Sequence, residues 1–161
     1  MGVKNTSSLV IASGVFLLDP NKFTFGKDVF IGYSTLISGH FVKNRKLVLE
    51  MGEIGDSVQI GACCRIAQGV KIGKNTIIGF GVTIGVNCII GENVKIYDAT
   101  ILDDNSIIGE NSIIGKKCIV GKRTEIKNNC YIGNYSSIAS KITIKPNTKI
   151  KELSIIKNNI S

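Results

Sequence analysis

The sequence predicts an all-β fold, a solenoid of very short parallel strands, and three observations predict it. From Ile54 to Ile156 every sixth residue is aliphatic, eighteen positions with no slip in phase. Two residues before each one, from Val58 to Ser154, stands a small or β-branched residue, and only Ile142 is bulky. Gly follows the aliphatic residue in most units (Gly55, Gly61, Gly73, Gly85), and Asn or Gly recurs two positions later. A fixed short period of this length marks a solenoid.

Residues two apart share a face of a strand, so the small residue and the aliphatic one both point inward and the residue between them points out. Gly and Asn tolerate positive φ and mark corners. Each six-residue unit is therefore a short strand followed by a corner. Neither a helix nor a stack of antiparallel hairpins repeats every six residues.

In chain order, residues 1–10 are polar and form a loose or edge-forming start. Met1 to Thr6 matches a myristoylation pattern that a cloning remnant would equally produce. Leu9 to Leu18 follows Lys4 in the manner of a signal peptide, but it lacks a small-residue cleavage pattern. Ile11, Val15 and Leu17 already carry the repeat spacing. Asp19-Pro20-Asn21-Lys22 is a turn that breaks the phase by two residues. The pattern resumes through Phe25, Val29, Ile31, Thr35 and Ile37, and Phe16, Phe23, Phe25 and Phe30 are expected to cap the open end. From residue 38 to 53 the repeat fails. Ile37 and Ile54 lie seventeen residues apart, one short of three units, and Leu47–Leu49 reads as an ordinary strand, so something projects here. Regular repeats fill 54–156, and the chain, 1–161, is one domain.

The net charge is +8, yet there is no block of like charges and no interleaving of aromatic and basic residues, so nucleic acid is not an expected partner. The lysines either solvate the outer turns or draw an anionic ligand or an acidic carrier protein. Cys64, Cys88, Cys118 and Cys130 occupy the small inward position and read as core filler, while Cys63 sits at a corner. One His and no Cys-x-x-Cys pair leave a metal site unsupported. A reducing cytoplasm fits such cysteines, and no run approaches membrane-spanning length. Ile77, Ile89, Ile101, Ile107, Ile113 and Ile119 fall on outward positions, an apolar band that asks for a partner.

The tandem unit of Leu/Ile/Val, Gly, two variable residues, a small residue and a variable one resembles the hexapeptide repeat of the left-handed parallel β-helix, most of whose members are acyltransferases. The resemblance implies a left hand, three units per coil and about eight triangular coils with Ile stacked on Ile. Cys64 and Cys118 would then lie three coils apart, about 14 Å, too far for a disulfide. The run from Ile54-Gly-Asp through Ile60-Gly-Ala to Ile72-Gly is similar to one that follows a catalytic His in the serine, galactoside and maltose O-acetyltransferases. His40 precedes it within Leu36-Ile-Ser-Gly-His-Phe; Gln59 departs from the Trp usual in that run.

That resemblance implies acetyl-CoA as acyl donor, His40 as general base and no metal. The acceptor would be the hydroxyl or amine of a small, sugar-like molecule. It places the donor along corners at Gly61, Ala62, Gly79, Phe80 and Gly81, with the Ala62 N–H at the oxyanion, and it implies a homotrimer with sites between subunits. A non-catalytic β-helical scaffold or interaction subunit is the alternative. A γ-class carbonic anhydrase would need three His ligands. A detached repeat domain of a sugar nucleotidyltransferase would share the repeat, but the chain has no Gly-rich nucleotide loop for that activity.

Overall fold

The computed structural model describes residues 8–160. The myristoylation pattern at residues 1–6 lies outside them. Twenty-three short strands form three parallel sheets of eight, eight and seven strands, the three faces of a left-handed parallel β-helix of about eight coils. The first face begins with Val10–Ile11, the second with Phe16–Leu18 and the third with Phe23–Phe25. A strand of each face pairs with the strand one coil on, in register: Ile66 with Ile84 and Ile72 with Ile90. Backbone bonds such as Arg65 N–H to Val82 O (2.9 Å) run from coil to coil, so even two-residue strands are paired on both sides.

Parity is as expected. Ile60, Ile66, Ile78, Ile84, Ile96 and their equivalents are buried in a single core cluster, and the residues between the inward pairs are mostly exposed. Stacking identical branched side chains at every rung removes large apolar area from water at about 25 cal/mol per Å², which is what holds the prism together.

The small inward residues do more than fill space. Thr76 Oγ1 donates to Gly91 O (2.9 Å), Thr124 Oγ1 to Ala139 O (2.8 Å) and Cys118 Sγ to Gly133 O (3.2 Å), each fifteen residues on. The inward Cys, Ser and Thr thus satisfy corner carbonyls that the sheets leave unpaired.

The corner residues divide into two kinds. The Asn or Gly two places after the repeat glycine holds positive φ, as at Asn75, Asn93 and Gly81. The repeat glycines themselves do not; they answer to space. A Cβ on Gly79 would come within 2.6 Å of Asp98 Oδ1 in the next coil.

Two expectations are corrected. Phe23 and Phe25 are buried and fill the first coil, but Phe16 and Phe30 stand 64% and 43% exposed at outward positions and cap nothing. The irregular segment is not a coil one residue short. Phe25 pairs with Ile54, twenty-nine residues on, where later coils take eighteen, so eleven residues are inserted at one corner. They form an antiparallel hairpin of His40–Lys43 and Lys46–Leu49, the second strand of which contains the expected strand at Leu47–Leu49. The outward isoleucines divide over all three faces, with Ile89 and Ile107 on the third and Ile101 and Ile119 on the second. No helix among the described residues is long and apolar enough to cross a membrane.

Candidate functional site

The hairpin projects from the edge between the second and third faces. Asn44 and Arg45 both hold positive φ (49° and 59°), the two-residue turn whose twist matches that of paired strands. Across the ladder His40 faces Leu49 and Phe41 faces Val48. Val42 and Leu47 are 67% and 60% exposed, while Phe41 and Val48 are half-buried against the prism.

His40 stands at the root of the hairpin, where the Ser38 hydroxyl donates to its carbonyl (2.9 Å). Its Nδ1 meets Oδ2 of Asp19, which lies at the same edge one coil earlier. Asp19 is in the left-handed region (φ 57°, ψ 59°) and opens the helical turn Pro20–Lys22. Gly39 makes the approach feasible, because a Cβ there would lie 2.7 Å from Lys22 Cβ and 3.1 Å from Asp19 Cβ. A carboxylate only accepts hydrogen bonds, so Nδ1 carries the proton and Nε2 of a neutral ring keeps its lone pair. With side chains about one third exposed, the pair can reach a ligand. Such an arrangement can take a proton from a hydroxyl or amine.

The residues expected to hold the acyl donor are together, at a different edge, between the first and second faces. Gly61-Ala62 stacks on Gly79-Phe80-Gly81, with Gly81 N–H donating to Ala62 O (2.9 Å). Gly81 holds φ +64° with nothing near its Cβ direction, and Phe80 is 53% exposed. At two corners of this edge the N–H after the repeat glycine is taken by the side chain eighteen residues on, Phe80 N–H by Asp98 Oδ1 (3.0 Å) and Lys116 N–H by Asn134 Oδ1 (2.8 Å). Eighteen residues beyond Ala62 stands Phe80, which has no acceptor to offer. Among the described residues the Ala62 N–H makes no hydrogen bond within the chain. Within one chain His40 and these five residues are not brought together.

A groove of about 560 Å³ runs beside the hairpin, lined by Phe41, Val48, Glu50, Val86, Asn87, Asp104, Asn105 and Arg123. His40 is not part of it. A shallower groove of about 220 Å³ on the second face starts at Leu36 and Ser38 and continues past Arg65 and Thr83. Sequence reasoning missed Asp19, Glu50 and Arg123. For Asp19 a signal existed, since both breaks in the repeat fall after strands of the same face.

Burial pushes the thiols of Cys64, Cys88, Cys118 and Cys130 up from their ordinary value, and all five cysteines are free. No group of three or more His, Cys, Asp or Glu among the described residues is placed to hold a metal ion.

A family model described as GMPPB C-terminal domain matches residues 60–160. No curated protein matches the sequence. Among solved structures, the chain is similar to the UDP-N-acetylglucosamine acyltransferase of Francisella novicida, with TM-score 0.54 and 19% identity over 96% of this chain and 62% of that one. A putative acetyltransferase from Bacillus cereus aligns with TM-score 0.49 and 17% identity, over 95% of this chain and 74% of that one. LpxA from Acinetobacter baumannii aligns with TM-score 0.48 and 16% identity, over 96% and 66%. At these identities the likeness is one of fold, and the chain spans less than two thirds of the Francisella protein.

Proposed function

From a chain that belongs to the GMPPB C-terminal domain family, and whose fold is that of an acyltransferase, we propose an acyl-CoA-dependent transferase, using acetyl-CoA, that acylates the hydroxyl or amine of a small sugar-like acceptor. The observation that carries the reading is the contact of His40 Nδ1 with the Asp19 carboxylate. Nε2 of the neutral imidazole takes the proton of the acceptor O–H or N–H as that oxygen or nitrogen attacks the thioester carbonyl. The tetrahedral intermediate collapses, the C–S bond breaks, and the imidazolium returns the proton to the departing CoA thiolate. Asp19 holds the ring in one tautomer and offsets the charge it gains.

The unpaired Ala62 N–H supports a role as oxyanion donor, because a developing alkoxide would be its first acceptor. Ala62 and His40 stand on different edges, so the reading requires a second prism that sets its Gly61–Gly81 edge against the His40 edge of the first. A homotrimer with a site at each of three interfaces meets that requirement and uses the outward isoleucines. Support for a sugar-like acceptor comes from the Francisella enzyme, whose name places its substrate among sugar nucleotides.

Mixing two inactive variants tests the whole reading. His40→Ala and Phe80→Asp, the latter placing a carboxylate where Asp98 serves the Phe80 N–H, should each fold and assemble normally and turn over poorly. Co-refolded together they should regain activity, because some interfaces join an intact His40 to an intact Ala62 corner. A second reading, the non-catalytic scaffold, is favoured by the absence of His40 from the groove beside the hairpin. Calorimetry with acetyl-CoA separates the two, since a scaffold shows no binding at millimolar ligand.

A further inference from the structure

The groove beneath the hairpin has no part in the transferase reading, and its chemistry is specific. Residues stacked at its edge change exposure down the prism: Gln68 and Gly69 are buried, Val86 and Asn87 half-buried, Lys122 and Arg123 exposed. The hairpin therefore lies over the third and fourth coils, with Phe41 and Val48 as an apolar wall. Beneath it the Gln68 amide is fully buried and neither its oxygen nor its nitrogen has a hydrogen-bond partner. Two further oxygens converge one residue along. A Cβ on Gly69 would collide with Asn87 Oδ1 and lie 2.9 Å from Glu50 Oε2, so both atoms point into the space that this glycine leaves.

Toward its lower end the groove changes sign. It merges with a second one of about 330 Å³, sharing Asp104, Asn105 and Arg123 and adding Lys122, Ser140 and Lys141. Lys122 is engaged by Asp104 (3.2 Å) and Asp103, whereas Glu50, Arg123 and Lys141 take part in no ion pair among the described residues. Carboxylate and amide oxygens beside an aromatic wall suit the hydroxyls and C–H face of a polyol. A guanidinium and an ammonium at the other end suit a phosphoryl group, which Arg binds through two parallel N–H groups. The carboxylate of Glu50 opposes a purely anionic occupant. We infer that this groove binds a phosphorylated polyol of hexose size, hydroxyls toward Glu50 and Asn87 and phosphoryl toward Arg123 and Lys141. The volume is within the range of small-molecule sites, about 300–1,000 Å³. The site stands whether or not the chain transfers acyl groups.

The test is binding, not turnover. Calorimetry compares glucose 6-phosphate, glucose and inorganic phosphate against the full chain and against Arg123→Asn and Glu50→Gln. Arg123 holds φ 55°, and Asn occupies the same corner at Asn87 and Asn105 with φ 56° and 58°, so Arg123→Asn keeps the backbone. The expected result is binding of glucose 6-phosphate at millimolar concentration or tighter, at least about tenfold stronger than either half alone and weakened about tenfold or more by each substitution. Hydrogen exchange should slow at the amides of residues 40–49 when the sugar phosphate is present. No heat with glucose 6-phosphate at about 10 mM, equal affinity for inorganic phosphate, or unchanged binding in Arg123→Asn would each overturn the assignment.

Discussion

Nδ1 of His40 rests against the carboxylate of Asp19, twenty-one residues earlier, and so joins two places where the first coils lose the phase of the repeat. The two-residue excess at Asp19–Lys22 and the eleven-residue insertion after Ile37 are stacked at one edge of the prism. Neither break supplies a dyad alone. Together they hold an imidazole whose proton is fixed on one nitrogen.

His40→Ala should lower kcat by about 10²–10⁴, the usual contribution of a general base, with an unchanged melting temperature. Asp19→Asn should fall in the same direction, because an amide can donate to Nδ1 and favour the tautomer that protonates Nε2. Turnover of the two variants against wild type, with circular dichroism melts alongside, checks both. Full activity in His40→Ala would remove the transferase mechanism.

Gly39→Ala addresses the geometry without touching either partner. The added methyl meets Lys22 Cβ and Asp19 Cβ at 2.7 Å and 3.1 Å, so the hairpin root must shift away from the turn. The expected outcome is a loss in kcat with little change in KM for the acyl donor, read from steady-state kinetics.

Phe80→Asp should cost about 10²–10³ in kcat, the effect of losing one oxyanion donor, because the new carboxylate occupies the Ala62 N–H. The corner already accommodates Asp at the equivalent Asp98, so stability should hold. Unaltered kcat in a folded variant would exclude Ala62.

In the core, Cys88 is fully buried, with Sγ 3.1 Å from Asp103 O and 3.2 Å from Ser106 Oγ. Cys88→Leu should destabilise by about 1–3 kcal/mol through overpacking, and Cys88→Val should stay close to wild type. Denaturant melts of the two variants decide it; equal stability would mean the position is not inward.

Thiol chemistry gives a pH signature. Cys63 alone is exposed, so a thiol reagent should label one cysteine in the native chain and five after unfolding. Burial raises the other four in the folded state, the direction that favours the neutral thiol. Their contribution is complete below the unfolded thiol value of 9.0 and is lost as pH rises past it, because the unfolded chain ionises first. Stability measured from pH 8 to 10.5 should decline across this window, and less steeply in Cys118→Ser, which removes one such thiol.

The ladder of aliphatics from Ile54 to Ile156, and the inward place of Cys64 or Thr100, were legible because a strand has a period of two and a buried position tolerates only certain shapes. The corners were legible as corners, but the two reasons for glycine were not distinguishable in a string of letters. Gly81 needs its backbone conformation, and Gly79 needs room for Asp98 of the next coil. His40 stood out as the sole His in the irregular segment, yet its partner did not, because the spacing shows only that both breaks follow strands of one face and not which side chains meet there.

By itself the sequence determined the period, the inward face of the regular strands, the places where the first coils break phase and the core position of four cysteines. All of these follow from local parity and from the shape of single side chains. Only the tertiary structure decided what that insertion meets. Stacking eight coils sets residues eighteen to twenty-nine apart against each other, and the first coils depart from the regular step by amounts no local rule supplies. That stacking brought Asp19 to His40, set Phe80 eighteen residues beyond the Ala62 N–H, and placed Phe41 and Val48 in one groove with Val86 and Asn87. Contacts of this kind depend on which coil lies beneath which, and that order exists only once the chain has wound.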